Sequence, residues 1–212
     1  MTDASELPAD PAETTASIGT RKRPKPGERR IQILQTLASM LERPGGERIT
    51  TAALAAQLDV SEAALYRHFA SKAQMFEGLI DFIEETVFTL INQIIDREPA
   101  DSQAAAMRIA TMLVQFAEKN PGMARVMVGD ALVLENERLQ QRMNQLFDKV
   151  ESALKQCLRD LSSDSATPTV DVQVRAAAVT AFVAGRLQRF ARSGFKRLPS
   201  EHLEPSLKLM LG

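Results

Sequence analysis

Side chains that can hydrogen-bond with phosphates and with base edges are concentrated in one short stretch, ITTAALAAQLDVSEAALYRHFASK, residues 49–72. Hydroxyl, guanidinium and ammonium groups bind phosphate oxygens, and small alanines let a helix backbone approach base edges in a major groove. The candidate DNA-facing residues are Thr50, Thr51, Ser61, Ala64, Tyr66, Arg67, His68 and Lys72. Their types and their crowding indicate a surface that contacts DNA. For Tyr66 and His68 an alternative remains open: they cap the surface of a small domain.

Catalysis and metal binding find little support in the same residues. No second His, Cys or carboxylate stands at ligand spacing around His68. Glu84 and Glu85 are adjacent and therefore point in different directions on a helix. The chain also lacks a phosphate-cradling glycine loop and a Ser or Cys nucleophile motif. We predict no catalytic residue, no metal site and no cofactor, and therefore a protein that is not an enzyme.

Two short helical patterns place the DNA-facing residues. Thr50 and Ser61 are good N-caps for a helix that ends near Leu58 and for a second helix after a three-residue turn. Helices this short are marginal alone, so packing must hold them. The apolar residues available for that packing are Ile49, Leu54, Leu58, Val60, Leu65 and Phe69. An amphipathic helix over about 28–42 supplies the third helix of a helix-turn-helix head, with the motif at 50–69.

Charge is unevenly distributed along the 212-residue chain, whose formal net charge is -1. Residues 1–20 carry four acidic and no basic side chains, whereas residues 21–72 carry ten basic and five acidic ones. A basic N-terminal third is typical of a separate DNA-binding head. We expect residues 1–27 to be a disordered acidic tail followed by a basic arm, RKRPKPGERR. That arm either lies along phosphates or is a solvated linker.

Cysteine content and apolar runs indicate the compartment. Cys157 is the only cysteine, so no disulfide can form within the chain, which fits a reducing cytoplasm. We find no signal peptide, and the longest apolar run, near 176–184, is too short to span a bilayer. We expect a cytoplasmic protein with no membrane segment.

Longer helical patterns follow the head. We predict helices over about 71–96, 102–119, 135–161 and 170–195, with no later element of substance. This is an all-α fold with a three-helix head at 28–72 and a helical body at 73–212.

Two apolar stripes in the last long helices predict a seam for partner helices. A two-fold axis would bring these two helices of one subunit against the same two helices of a second subunit, which predicts a four-helix dimer interface. The predicted interface residues are Leu146, Val150, Leu154, Val179, Phe182, Leu187 and Phe190. The alternative is that both stripes belong to the core of a single chain.

A head with the pattern VSEAALYRHFASK followed by a long helical body resembles the TetR family of dimeric DNA-binding regulators. The resemblance is specific over roughly residues 28–75. It implies binding to double-stranded DNA at palindromic sites, and it places the eight candidate residues on the DNA-facing positions of the family. Asp59 stands where the family usually has a turn glycine, and Asp tolerates a left-handed backbone better than most residues.

Further blocks are similar to a branch of this family that inhibits cell division over the chromosome. They are RITTAALAAQLDVSEAALYRHF, MFEGLIDFIEE, EKNPG, LENERLQQRMNQLFDKVE and RFARSGFK. The resemblance implies a nucleoid-associated homodimer that antagonises assembly of the tubulin-like division protein FtsZ. It also implies an FtsZ-facing surface with Phe82, Lys119 and Asn120, although an aromatic on an apolar stripe more often lies in a core. The alternative function is a ligand-responsive TetR-type repressor, with a pocket lined by the Met, Phe and Ile residues of about 75–134.

Overall fold

The structure is a computed structural model that describes residues 27–43, 48–97, 101–159 and 168–212. Every regular element in these ranges is helical, which confirms the all-α prediction. The predicted tail and most of the basic arm lie outside the described residues. The α-helices are α1 Glu28–Leu41, α2 Thr51–Gln57, α3 Glu62–Tyr66, α4 Lys72–Arg97, α5 Ser102–Lys119, α6 Pro121–Met127, α7 Glu137–Leu158, α8 Pro168–Arg192 and α9 Leu203–Leu211; a 3-10 turn, Asp130–Leu132, precedes α7.

Side-chain caps start the helices where the sequence predicts them. The Thr50 hydroxyl accepts a hydrogen bond from the amide of Ala53 at 3.1 Å, and the Ser61 hydroxyl accepts one from Ala64 at 3.3 Å. Asp101 caps α5 in the same way, through the amide of Ala104 at 2.8 Å. Each cap satisfies an amide that has no partner within its helix. Local chemistry therefore determines where these helices begin.

One apolar core runs through both the head and the body. The helix α4 leaves the head and packs on α5 and α7, and α7 packs along α8. Polar contacts join the outer faces of α4 and α7: Arg142 donates to Asp81 at 2.7 Å and also to Glu84. Burial alone would lower the pKa of Arg142, but these two carboxylates raise it above its usual value. The charged guanidinium thus stabilises the contact between the two helices.

The apolar stripes of α7 and α8 lie in the core of one chain. Six of the seven side chains that we predicted at a dimer seam are at most 2% exposed within a single protomer: Leu146, Val150, Leu154, Val179, Leu187 and Phe190. These six assignments were wrong as surface residues, because α5, α7 and α8 cover one another. Only Phe182 is partly exposed. Periodicity shows which residues share a face, but it does not show which helix covers that face.

The helix α9 was missed by the sequence analysis. It packs on α5 and α8 and buries Leu203, Leu207 and Leu211. It therefore supplies part of the cover that the seam prediction assumed to be absent. None of the described helices combines the length and the apolar character that a membrane crossing requires.

Candidate DNA interface

The turn between α2 and α3 has the backbone that a helix-turn-helix requires. Asp59 has φ 55°, in the left-handed region that favours glycine. The amide of Val60 donates to the carbonyl of Ala55 at 3.0 Å, which closes the end of α2. Asp at this position is therefore compatible with the turn, as we expected from its tolerance of left-handed geometry.

The underside of α2 and α3 is fixed by apolar packing and by α1. Leu54, Leu65 and Phe69 are each 1% exposed. The guanidinium of Arg30 lies 4.1 Å from the centre of the Phe69 ring and donates to the carbonyl of His68 at 3.0 Å. This pairing of a cation with an aromatic face anchors the C-terminal end of α3 to α1. The short helix α3 therefore has a defined orientation relative to the rest of the head.

Most of the predicted DNA-facing side chains lie on the outer surface of the head. Tyr66 is 45% exposed. Thr50, Ser61, Arg67 and His68 are exposed, whereas Thr51, Ala64 and Lys72 are partly buried. Thr50 and Ser61 also cap α2 and α3, so each has a structural role beside any contact with DNA. The outer face of α3 thus begins with Glu62 and small alanines, and larger polar side chains follow at its end.

A polar chain that the sequence analysis missed joins α2 to α3 on this surface. The hydroxyl of Thr51 donates to Glu62 at 2.5 Å, and the hydroxyl of Tyr66 donates to Thr51 at 3.5 Å. The bond between Thr51 and Glu62 spans eleven positions, which no periodic pattern indicates. These two hydrogen bonds hold Tyr66 against the start of α2.

A carboxylate of the body binds two cations of the head. The Glu135 side chain is only 8% exposed and hydrogen-bonds with Lys72, while the Arg48 guanidinium lies 3.7 Å away. Lys72 also lies 5.6 Å from the centre of the Phe76 ring. Lys72 was predicted to face DNA, and in this structure its ammonium is held at the junction of head and body. Sequence reasoning missed Glu135, because it lies 63 residues from its partner.

Replacing Glu135 with glutamine is expected to strengthen DNA binding and to make it more sensitive to salt. Lys72 and Arg48 lose the carboxylate that neutralises them and become available to phosphates. Because each phosphate contact adds about 0.9 to the slope of log affinity against log salt, the slope should steepen by about 1 to 2. Titration of a duplex at several salt concentrations measures this slope. Glu137→Gln is the control, since Glu137 is exposed at the start of α7; equal slopes for the two variants would contradict the prediction.

The residues that resemblance assigned to a partner surface lie on the outside of the body. Phe82 on α4 is 47% exposed, so it is not a core residue. Lys119 is exposed at the end of α5, and the Asn120 side-chain amide donates to the carbonyl of Phe116 at 2.8 Å. The helix α6 begins directly after Asn120 and packs on α1 of the head, and Phe82 lies in the first half of α4, which leaves the head. Phe82 and Lys119 therefore both belong to the half of the body nearer the head.

Comparison with known proteins agrees with the division of the chain into a helix-turn-helix head and a helical body. A family model described as "Bacterial regulatory proteins, tetR family" matches residues 33–79, which span the helix-turn-helix. A second model, "SlmA-like_C: Tetracyclin repressor-like, C-terminal domain", matches residues 101–211. A protein of Idiomarina loihiensis named "Nucleoid occlusion factor SlmA" is 50% identical over 183 residues, covering 86% of this chain and 93% of the relative. This chain belongs to the SlmA family.

Other SlmA proteins and a solved structure extend the comparison. The SlmA of Shewanella loihica is 52% identical over 175 residues, covering 82% of this chain and 88% of the relative. The structure of the transcriptional regulator FadR from Bacillus subtilis with stearoyl-CoA superimposes with a TM-score of 0.68 at 16% identity, covering 86% of this chain and 97% of FadR. At that identity the likeness concerns the fold alone. The SlmA-family chain is a DNA-binding regulator of the TetR type, as the motif predicted.

Proposed function

We propose that this protein binds palindromic chromosomal sites as a homodimer and, from those sites, inhibits division by antagonising FtsZ assembly. Relatives that share about half of its residues over most of both chains are named nucleoid occlusion factors. Its place in the cell would then be the nucleoid, within the cytoplasm. No step of this role requires catalysis or a cofactor, because binding alone suffices.

The head supports the DNA part of the proposal. Its exposed outer face offers a tyrosine, an arginine and a histidine beside the small N-terminal residues of α3, so the helix can enter a major groove while longer side chains reach phosphates. A two-fold dimer would read two half-sites about one helical turn or a multiple apart. Thr50, Thr51, Ser61, Ala64, Tyr66, Arg67 and His68 remain the proposed DNA contacts. Lys72 would join them only where Glu135 no longer holds its ammonium.

The surface of α8 supports dimerisation at positions other than those of the predicted seam. Val170 and Val174, one helical turn apart, are 57% and 61% exposed. Phe182, two turns further along, is partly exposed, and the Arg186 guanidinium lies 4.5 Å from the centre of its ring. Exposed apolar residues at helical spacing favour contact with a partner helix. We therefore place the dimer contact on this outer face of α8.

Exposure of Phe82 is the single observation that carries the FtsZ part of the proposal. It lies on a helix whose buried face has Leu79, Ile83 and Val87 at no more than 1% exposure, yet its own ring is about half exposed. Aromatic side chains held on a rigid element are frequent anchors of protein interfaces. Phe82, Lys119 and Asn120 are the proposed FtsZ-facing residues.

Replacing Phe82 with alanine is expected to weaken FtsZ binding by about tenfold or more and to leave DNA affinity unchanged, because the ring is outside both the head and the core. The measurement is a titration of the DNA-bound protein with FtsZ. Leu209→Ala is the matched control, since Leu209 on α9 is 88% exposed. A variant at Phe82 that binds FtsZ as well as the control does would overturn this assignment.

The second candidate function is a repressor that releases DNA when a small molecule binds. The observation that favours it is a half-open cavity of about 340 Å³ between head and body. Its lining combines apolar side chains such as Ile49 and Phe76 with the charged Arg48 and Glu135. The ligand would therefore be amphipathic. Several of the Met, Phe and Ile residues expected to line a pocket inside the body, such as Ile83, Ile109 and Met127, pack in the core instead.

A further inference from the structure

Exposed cations are concentrated at the C-terminal end of α8 and in the turn that follows it. Arg189, Arg192, Lys196 and Arg197 are all exposed. Within the described part of the chain, no salt bridge joins any of these four to a carboxylate. We call the segment 193–200 the cationic turn. Its positive charge contrasts with the acidic balance of residues 73–212, which carry sixteen basic and eighteen acidic side chains.

The cationic turn lies at the end of the body nearer the head. The residue before α7's cap, Glu135, binds Lys72 of the head, and α8 returns antiparallel along α7. The hydroxyl of Ser200 donates to Glu118 at 2.9 Å, which brings the turn beside the C-terminal end of α5. Lys119 is the next residue on that helix and is exposed. The turn is therefore adjacent to part of the proposed FtsZ-facing surface.

The conformation of the cationic turn is strongly specified. The hydroxyl of Ser193 accepts hydrogen bonds from the amides of Lys196 at 3.1 Å and Arg197 at 2.9 Å. Arg186 of α8 donates to the carbonyls of Pro199, at 3.1 Å, and Glu201. These bonds hold the turn against α8 at both ends. A ligand would meet a preorganised surface, which reduces the entropic cost of binding.

The composition of the turn favours a peptide over a phosphate backbone. Leu198, which follows two cations, is 52% exposed, and an apolar side chain has no partner among phosphates. The amides of Lys196 and Arg197 already donate to Ser193, so they are not available to cradle a phosphate. Two carboxylates lie close by, Glu118, which accepts from Ser200, and the exposed Glu201. Against the four exposed cations these two carboxylates leave a positive balance, beside the exposed side chain of Leu198.

We propose that the cationic turn docks an acidic peptide segment of the protein's partner, with an apolar residue of that segment packed on Leu198. This inference rests on the proposed function, since it states that the FtsZ segment bound beside Lys119 carries carboxylates. It assigns Lys196 and Arg197 to electrostatic attraction and Leu198 to packing. Opposite charges at the rim of an interface accelerate association and increase its dependence on salt.

The test is the double substitution Lys196→Glu with Arg197→Glu. Only side chains change, so the amide bonds to Ser193 persist. FtsZ affinity is expected to fall by about tenfold or more and to lose most of its salt dependence, because attraction becomes repulsion. DNA affinity of the same preparation should stay within about threefold of the wild type, which also shows that the variant is folded. The matched control is Arg97→Glu with Arg159→Glu, which makes the same charge change at the opposite end of the body.

The outcomes separate this inference from the proposed function. If the wild type binds FtsZ and the double variant binds it equally well, the cationic turn is not a docking surface. If DNA affinity falls while FtsZ affinity does not, the surface belongs to DNA and the inference is overturned. If the wild type does not bind FtsZ, the proposed function fails. In that case the test is the binding of a fluorescein-labelled peptide with six glutamates around one leucine. Binding to the wild type that the double variant loses supports the cationic turn as a docking surface for acidic peptides, and equal binding to both proteins overturns it.

Discussion

Replacing Gly122 with alanine is expected to destabilise the fold by about 3 kcal/mol and to loosen the contact between head and body. A Cβ atom at this position would stand 2.0 Å from the carbonyl oxygen of Ala38 and 2.9 Å from its carbonyl carbon. Both atoms belong to the backbone of α1, so no side-chain rotation can relieve the overlap. The helix α6 must move away from α1, which exposes apolar surface on both. Unfolding in denaturant, followed by circular dichroism, measures the loss.

Gly185→Ala is the matched control for Gly122→Ala. No heavy atom lies within 4 Å of a Cβ built at Gly185, which is an interior residue of α8. Alanine there should stabilise by about 0.5 to 1 kcal/mol, since glycine is a poor helix former. Equal midpoints for the two variants would show that α6 and α1 are not in close backbone contact.

Replacing Ala63 with glutamate is expected to reduce affinity for a palindromic duplex by about 100-fold or more, with little change in stability. Ala63 is exposed near the start of α3, where a longer acidic side chain would occupy the groove and repel phosphates. The helix should tolerate the change, because glutamate is a good helix former and an acidic residue suits the first turn. The measurement is a titration at fixed salt concentration with the variant's melting temperature as a check.

Ala56→Glu provides the comparison for Ala63→Glu. Ala56 is also exposed, but it lies near the C-terminal end of α2 and not on α3. The same added charge should therefore cost much less affinity. If both glutamate variants bind the duplex as tightly as the wild type does, α3 does not enter the groove.

The head was predictable in detail because its determinants are local. Thr50 and Ser61 cap the helices through amides three residues away, and Asp59 adopts the left-handed backbone within a single residue. The buried set under α2 and α3 follows from helical spacing over about twenty residues. Such signals are contained in short windows of sequence, so the helix-turn-helix and its outward face could be derived without coordinates.

The helix α9 shows where local signals were insufficient. His202, at its N-cap position, has a left-handed backbone and makes no side-chain cap, and the helix has only nine residues. A helix this short is marginal in isolation and depends on burying Leu203, Leu207 and Leu211 against α5 and α8. Its existence is therefore a consequence of tertiary packing.

The amino-acid sequence by itself determined the all-α class, the helix-turn-helix, its caps and the residue types on the outer face of the head, because each depends on neighbours a few positions apart. The tertiary structure decided which apolar faces are covered. It placed Leu146 and Val150 in the core of one chain and left Phe82 about half exposed. It also joined Glu135 to Lys72 across 63 positions. Coverage and long-range pairing depend on how whole helices are arranged, and residues with the same periodicity can serve either a core or a surface.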